Sequence, residues 1–303
     1  MNTLQRDESP TIVSATISLP EGPLLLPDGR WMVVELDPRR GTVTRIGAGG
    51  EREPLATTGR PNGLALSADG TVWIAESLNP AVYRLDPDGE LSEVLSEVEG
   101  EPLLWPNDIC VGPDGAVYVT DSGLRVEELL TDVVANEVRS DWESLRLDGR
   151  LVRFDPASGE ARFLDRGYQF TNGIAFGPDG LLYVNETYTA DIYRYRIEDG
   201  AVVGERELFA NVLDPDFPGP GMRGPDGMAF SEDGRLWVAV FNQGDVTVLE
   251  PDGSLSHRIK LPGNNPTNVA FGPPGDTRIY ITEGDMGTLE SRDVGVGGHP
   301  LHS

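Results

Sequence analysis

The sequence predicts an all-β fold, a six-bladed propeller with four antiparallel strands per blade, on three observations. A unit of strand, Asp-Gly turn and strand recurs along the chain. It recurs six times at intervals suited to a blade. Each copy also opens on a polar residue at one fixed register, Glu21, Asn62, Asn107, Asn172, Asp226 and Thr267. Self-similarity at such a period is the mark of a repeat architecture, and four short strands per repeat is a propeller blade.

The first copy runs from Pro20-Glu21-Gly22-Pro23 through Asp28-Gly29 to Met32-Val33-Val34-Glu35. The second runs from Pro61-Asn62-Gly63 through Asp69-Gly70 to Val72-Trp73-Ile74-Ala75-Glu76. Pro106-Asn107-Asp108 leads through Asp114-Gly115 to Asp121, and Thr171-Asn172-Gly173 through Asp179-Gly180 to Glu186. Pro225-Asp226-Gly227 leads through Asp233-Gly234 to Ala239. The sixth copy, from Pro266-Thr267-Asn268 to Glu283, keeps Gly275 but has Pro274 in the Asp position. Asp-Gly between alternating apolar runs is a hairpin signal, because both residues tolerate positive φ. Third and fourth strands follow most copies, as in Val82 to Leu85 and Leu91 to Leu95 around Asp86-Pro87-Asp88-Gly89.

Six blades close one ring, so residues 1–303 form a single domain. The alternating segment 11–19 is expected to complete the last blade as its outer strand. Residues 1–10 and 295–303 are expected to be loosely held. Two intervals are long and carry insertions. One, 123–150, has helical spacing over 126–147 through Leu129, Leu130, Val133, Val134 and Val138. The other, 211–224, is rich in Pro and Gly.

Composition narrows the function classes. Fifty Asp and Glu against 24 Lys and Arg give a net charge of −26, which repels phosphate backbones and anionic membranes. Nucleic acid and membrane are therefore excluded as partners, and a small molecule is expected. The single cysteine, Cys110, allows no internal disulfide. With no apolar leader or span, a cytoplasmic protein is expected.

In a propeller the first strand of each blade lines the central channel, so the six polar residues converge at one mouth. All are oxygen donors. Carboxylates mixed with amides suit Ca²⁺, with Mg²⁺, Mn²⁺ or Zn²⁺ as alternatives. Glu21, Asn172, Asp226 and Asn107 are the candidate metal ligands, and Asn62 and Thr267 are read as structural. The ends of the second strands return to the same face with Glu35, Glu76, Asp121, Glu186 and Glu283. So many charges would repel in a tight channel, so these are read as structural, one strand outward and accepting hydrogen bonds from neighbouring blades. Both insertions also rise around this mouth.

Pro20-Glu21-Gly22-Pro23, Pro106-Asn107-Asp108, Thr171-Asn172-Gly173 and Pro225-Asp226-Gly227 resemble, in order, the signature of the regucalcin/gluconolactonase/luciferin-regenerating-enzyme family. The resemblance covers about residues 19–283. It implies one divalent cation at the channel mouth, with Glu21, Asn172 and Asp226 as ligands. It also implies Asn107 as a substrate or metal contact and Asp226 as general base. The related diisopropyl fluorophosphatases use a similar Glu, Asn, Asn, Asp set around calcium. The activity implied is a metal-dependent hydrolase, foremost a lactonase. A phosphotriesterase on the same site, or a non-catalytic ligand- or protein-binding propeller, are the alternatives. One departure stands out: where sugar-lactone members carry an Arg two positions before the third-blade Asn, this chain has Trp105. That points to a substrate less polar than an aldonolactone. Arg60, two before Asn62, brings a cation from the adjacent blade, and Phe170, Tyr188, Phe217 and Met222 are candidate apolar wall.

Overall fold

The computed structural model describes residues 10–302. Six four-stranded antiparallel sheets follow one another around a central channel, each a simple up-and-down meander. Their innermost strands are Pro20–Leu25, Pro61–Leu66, Pro106–Val111, Thr171–Phe176, Gly224–Phe230 and Pro266–Phe271. The outer strand of blade 6 is Thr11–Ser14, which pairs with Thr288–Asp293 through Thr11↔Ser291 and Ile12↔Glu290. The last blade is thus built from both ends of the chain, which closes the ring.

Each hairpin turns on the glycine the repeat predicts. Gly29, Gly70, Gly115, Gly180, Gly234 and Gly275 all have φ between 75° and 90°, a region that costs L side chains energy. In five blades the turn Asp accepts the N–H two residues on, as Asp69 does from Thr71 at 2.9 Å. Blade 6, with Pro274 in that place, uses Asp276 and the N–H of Arg278 at 3.1 Å.

The core is a ring of layers between blades rather than one centre. Ala75 and Val82 of blade 2 pack on Val117, Val119 and Val152 of blade 3. Trp237 and Val246 of blade 5 pack on Ile279 and Ile281 of blade 6. Trp31 meets Tyr280 with ring centroids 4.2 Å apart, joining blades 1 and 6. Inner strands are therefore almost wholly buried, whereas outer strands such as Arg52–Thr57 alternate with solvent.

Two segments differ from the sequence-based expectation. The insertion holds one helical turn, Val126–Leu129, and then becomes a hairpin of Leu130–Asp132 with Glu137–Val138 and a 3-10 turn at Trp142–Ser144. The helix stops because Leu130 is extended and the Asp132 carboxylate takes the N–H groups of Val134 and Ala135, an Asx turn that competes with helical pairing. The stretch after Gly295 is not loose: Val296 is buried between blades 5 and 6, Gly298 bridges Ser231, and the His299 N–H reaches the Phe230 carbonyl at 2.8 Å. The expectation for residues 1–9 lies outside the described residues. Among the described residues no helix is long and apolar enough to cross a membrane.

Candidate active site at the channel mouth

Every innermost strand breaks register at the same place. The ladder with the second strand is interrupted between Glu21 and Leu24, Pro61 and Leu64, Pro106 and Ile109, Thr171 and Ile174, Pro225 and Met228, and Pro266 and Asn268. A bulge re-aims the side chain it carries and ends the pairing locally. Each bulge falls at a repeat-defining polar residue. Proline precedes five of the six; it has no N–H to give, and an edge strand needs none.

All six polar residues line one cavity, together with Leu36, Arg60, Trp105, Leu129, Leu130, Asn136, Val138, Phe170, Thr187, Met222 and Phe241. The following residue explains how the strands crowd so closely. A Cβ on Gly173 would meet the Asp226 carbonyl at 2.2 Å, and one on Gly22 would meet that of Asn62 at 2.8 Å. In blade 3 this place holds Asp108 and in blade 6 Asn268, and these two side chains fill the space that Gly63 and Gly227 leave beside them.

Second-strand residues orient the asparagines. Asn107 Nδ2 donates to Ser122 Oγ at 3.0 Å, and Ser122 donates in turn to the Thr171 carbonyl of the next blade at 2.9 Å. Asn172 Nδ2 donates to Thr187 Oγ1 at 3.1 Å, and Thr187 to the Pro225 carbonyl at 2.9 Å. Both amides are thereby fixed, and neither Oδ1 accepts a hydrogen bond from any described residue. Thr267 donates to the Pro20 carbonyl at 2.8 Å and so staples blade 6 to blade 1.

The carboxylates stand in an unfavourable field. Burial pushes Glu21 well above the usual carboxylate range, helped by the charges of Asp226 and Asp108; a hydrogen bond from Asn268 Nδ2 at 3.2 Å acts the other way. Asp226 keeps some exposure to the cavity, yet burial and Asp108 raise it well above its ordinary value. Asp108, whose oxygens accept the N–H groups of Ile109 and Ile174, is pushed up to about 7 by burial. Among the described residues no three His, Cys, Asp or Glu side chains form a metal-holding cluster. Any cation here would take a mixed set: two carboxylates, Glu21 and Asp226, with the amide oxygens of Asn172 and Asn107.

The outer acids are occupied by the chain itself. Asp121 accepts the N–H groups of Leu104 and Trp105 at 2.9 and 3.0 Å, Glu76 that of Arg60 at 2.8 Å, and Glu283 that of Asn265 at 2.8 Å. The donors lie on the loops arriving from the preceding blade.

Above the polar floor the wall is apolar. Trp105, Phe170 and Met222 join Leu124, Val126, Leu129, Leu130 and Leu147 of the insertion in one cluster. Trp105 meets Phe170 edge-on at 5.2 Å, and Tyr188 stacks on Phe170 at 5.6 Å, one layer behind the cavity. Phe217 lies off the cavity, against Arg223 and Lys260. Sequence reasoning passed over Asp108 and Asn268, whose signal was the missing glycine at their register. It also passed over Asn136, Ser122 and Thr187, whose contacts are non-local.

A sequence profile described as "SMP-30/Gluconolactonase/LRE-like region" matches residues 19–285, all six blades. The chain belongs to this family. A gluconolactonase of Zymomonas mobilis is 27% identical over 308 residues, covering 94% of this chain and 82% of that protein. A 6-deoxy-6-sulfogluconolactonase of Pseudomonas putida is 31% identical over 233 residues, 70% of this chain and 78% of that one. Among solved structures, a gluconolactonase of Xanthomonas campestris superposes with a TM-score of 0.75 at 25% identity, covering 95% of this chain and 89% of that one. Membership places the chain among the six-bladed propeller hydrolases of lactonase type.

Proposed function

We propose that this chain is a divalent-cation-dependent lactonase whose substrate is less polar than a sugar lactone. The observation that carries the reading is a single cavity with a floor of Glu21, Asn107, Asn172 and Asp226 beneath an apolar wall. The floor suits a hard cation: two carboxylates, Glu21 raised by burial and by Asp226, and Asp226 raised by burial and by Asp108, with two amide oxygens without donors among the described residues. Glu21, Asn172 and Asp226 would hold Ca²⁺, with Asn107 beside them. When bound, the ion would supply Lewis-acid polarisation of the ester carbonyl.

The chain's own groups do the rest. Asp226, a carboxylate facing the cavity, takes a proton from the attacking water. Asn107, pinned by Ser122, orients the ring with its second amide N–H. Leu129, Leu130 and Val138 of the insertion, with Phe170 and Met222, shed water from an apolar ring substituent. Trp105 offers a ring face where a sugar substrate would want a charged donor. The names of the Zymomonas and Pseudomonas relatives are those of lactonases, which favours ring opening over other ester chemistry.

The test is a hydrolysis screen across sugar, alkyl and aromatic lactones and phosphotriesters, with calcium or with chelator. The expected result is calcium-dependent opening of alkyl or aromatic lactones, abolished in Asp226→Asn. Activity indifferent to chelator would refute the cation, and turnover confined to phosphotriesters would refute the lactonase. No hydrolysis of any kind, with a ligand or protein bound at the mouth, would favour a binding propeller.

A further inference from the structure

Arg60 is a buried charge with no acid in direct contact among the described residues; Glu76 acts on it only from beyond ion-pair distance. Only 2% of its surface is exposed. Its Nη1 donates to Ser77 Oγ at 2.9 Å and its Nη2 to Asn136 Oδ1 at 2.8 Å, both neutral acceptors. Among the described residues it forms no ion pair, although both other buried arginines do: Arg150 with Asp121, and Arg292 with Glu290. Glu76, the nearest acid by sequence register, spends its oxygens on the backbone N–H groups of Arg60, Leu78 and Asn79. Among the described residues the Arg60 Nε–H has no acceptor, and neither has the indole N–H of Trp105, whose ring the guanidinium faces at 5.2 Å. Both residues line the cavity that holds the axial carboxylates.

A guanidinium carries five N–H donors and keeps its proton throughout the physiological range. Burial lowers Arg60 only to about 10, so it remains a cation at neutral pH. Burying such a charge is costly unless an anion answers it. Trp105 offsets part of that cost through its ring face. If Arg60 served only to tie the hairpin at Asn136 to blade 2, an uncharged donor would do so without the penalty. Glu76 answers the charge only from a distance, and the arrangement makes sense when an anion in direct contact arrives with the ligand.

We propose that Arg60, backed by Trp105, is the receptor for a carboxylate on the substrate, so that the molecule this cavity takes carries its charge on one carboxylate while its body is less polar than a sugar lactone. The proposal rests on the hydrolase reading only for the word substrate. The subsite itself is a matter of binding. Arg60 and Asn136 form the charged corner of the cavity. Phe170 and Met222 give the apolar surface, and the floor of Glu21, Asn172 and Asp226 takes the reacting group.

Binding of phenylacetate and of its uncharged isostere phenylacetamide to the full chain tests this, by calorimetry on wild type, Arg60→Gln and Arg60→Met. Wild type should prefer the acid by on the order of 10- to 100-fold, the difference a charged hydrogen bond makes. Both variants should lose that preference. Equal affinity for acid and amide in wild type, binding of neither, or a preference that survives in either folded variant would overturn the proposal. Should Arg60→Met fail to fold, Arg60→Gln keeps a donor and decides the matter. If phenylacetate binds through Arg60 while no lactone is opened, the anion subsite stands and the hydrolase reading falls. If neutral lactones are opened with no acid preference, the reverse holds.

Discussion

Without a divalent cation at the channel mouth, this protein should become less stable as pH rises from about 4 to about 7. Glu21, Asp108 and Asp226 are buried together, and each is raised by burial. In the unfolded chain such carboxyls lose their protons near pH 4. In the folded, cation-free chain they hold them to higher pH, so the folded state binds more protons across that window. A raised carboxyl contributes its stability in full below its unfolded value and has lost it once pH passes the folded value. For Asp108 the window runs from 3.8 to about 7. At about 1.36 kcal/mol per pH unit, the loss is on the order of 4 kcal/mol, or about 8 °C in Tm for a domain of this size. Glu21 and Asp226 act in the same direction. Asp37, which Arg39 holds down at about 2, has the opposite slope, but only below the window.

A bound cation should cancel this slope, because it needs the carboxylates ionised and its binding releases protons. Calcium should therefore raise Tm more at pH 8 than at pH 5. Scanning calorimetry from pH 4.5 to 8.5, in chelator and in excess calcium, reads both effects. Asp108→Asn should make the chelator profile less steep, leaving the part due to Glu21 and Asp226. A Tm in chelator that is constant or rising between pH 5 and 7.5, with calcium equally effective at both ends or inert, would refute the reasoning.

Three further outcomes are expected. Asp226→Asn should lower kcat by about 100-fold or more while leaving Tm equal to or above wild type in chelator, since it removes one of three crowded charges; steady-state kinetics and melting check both. Thr187→Val should weaken calcium binding by roughly 10- to 100-fold, because Asn172 loses the hydroxyl that orients its amide; titration calorimetry measures it. Gly173→Ala should cost about 2 kcal/mol or more and displace Asp226, since the new Cβ would meet the Asp226 carbonyl at 2.2 Å; denaturant melts and activity should fall together.

The features legible in the sequence are those that repeat. Asp69-Gly70 and its counterparts announce the hairpins because turn chemistry is local. The register of Glu21, Asn172 and Asp226 follows by counting, and so does their meeting in one cavity. What was not legible depends on contacts across blades. Leu129, Leu130, Val133 and Val138 fit a helix by spacing, but the Asp132 side chain turns the backbone, and Leu130 and Val138 close the cavity as paired hairpin residues. Phe217 and Met222 share one loop, yet only Met222 reaches the cavity, because Arg223 and Lys260 hold Phe217 outside.

The second blade shows why the six axial residues are not equal. Ser77 stands fifteen positions after Asn62, as Ser122 stands after Asn107 and Thr187 after Asn172. In blades 3 and 4 that hydroxyl receives the asparagine amide and anchors on the next blade. In blade 2 it receives Arg60 Nη1 and donates back to the Arg60 carbonyl at 2.9 Å. Among the described residues Asn62 is left without the partner that would aim its oxygen. A guanidinium at residue 60 and an oriented amide at residue 62 compete for one serine, and here the guanidinium holds it. Blade 2 therefore contributes a cation to the cavity wall, while blades 1, 3, 4 and 5 contribute the oxygen donors of the floor.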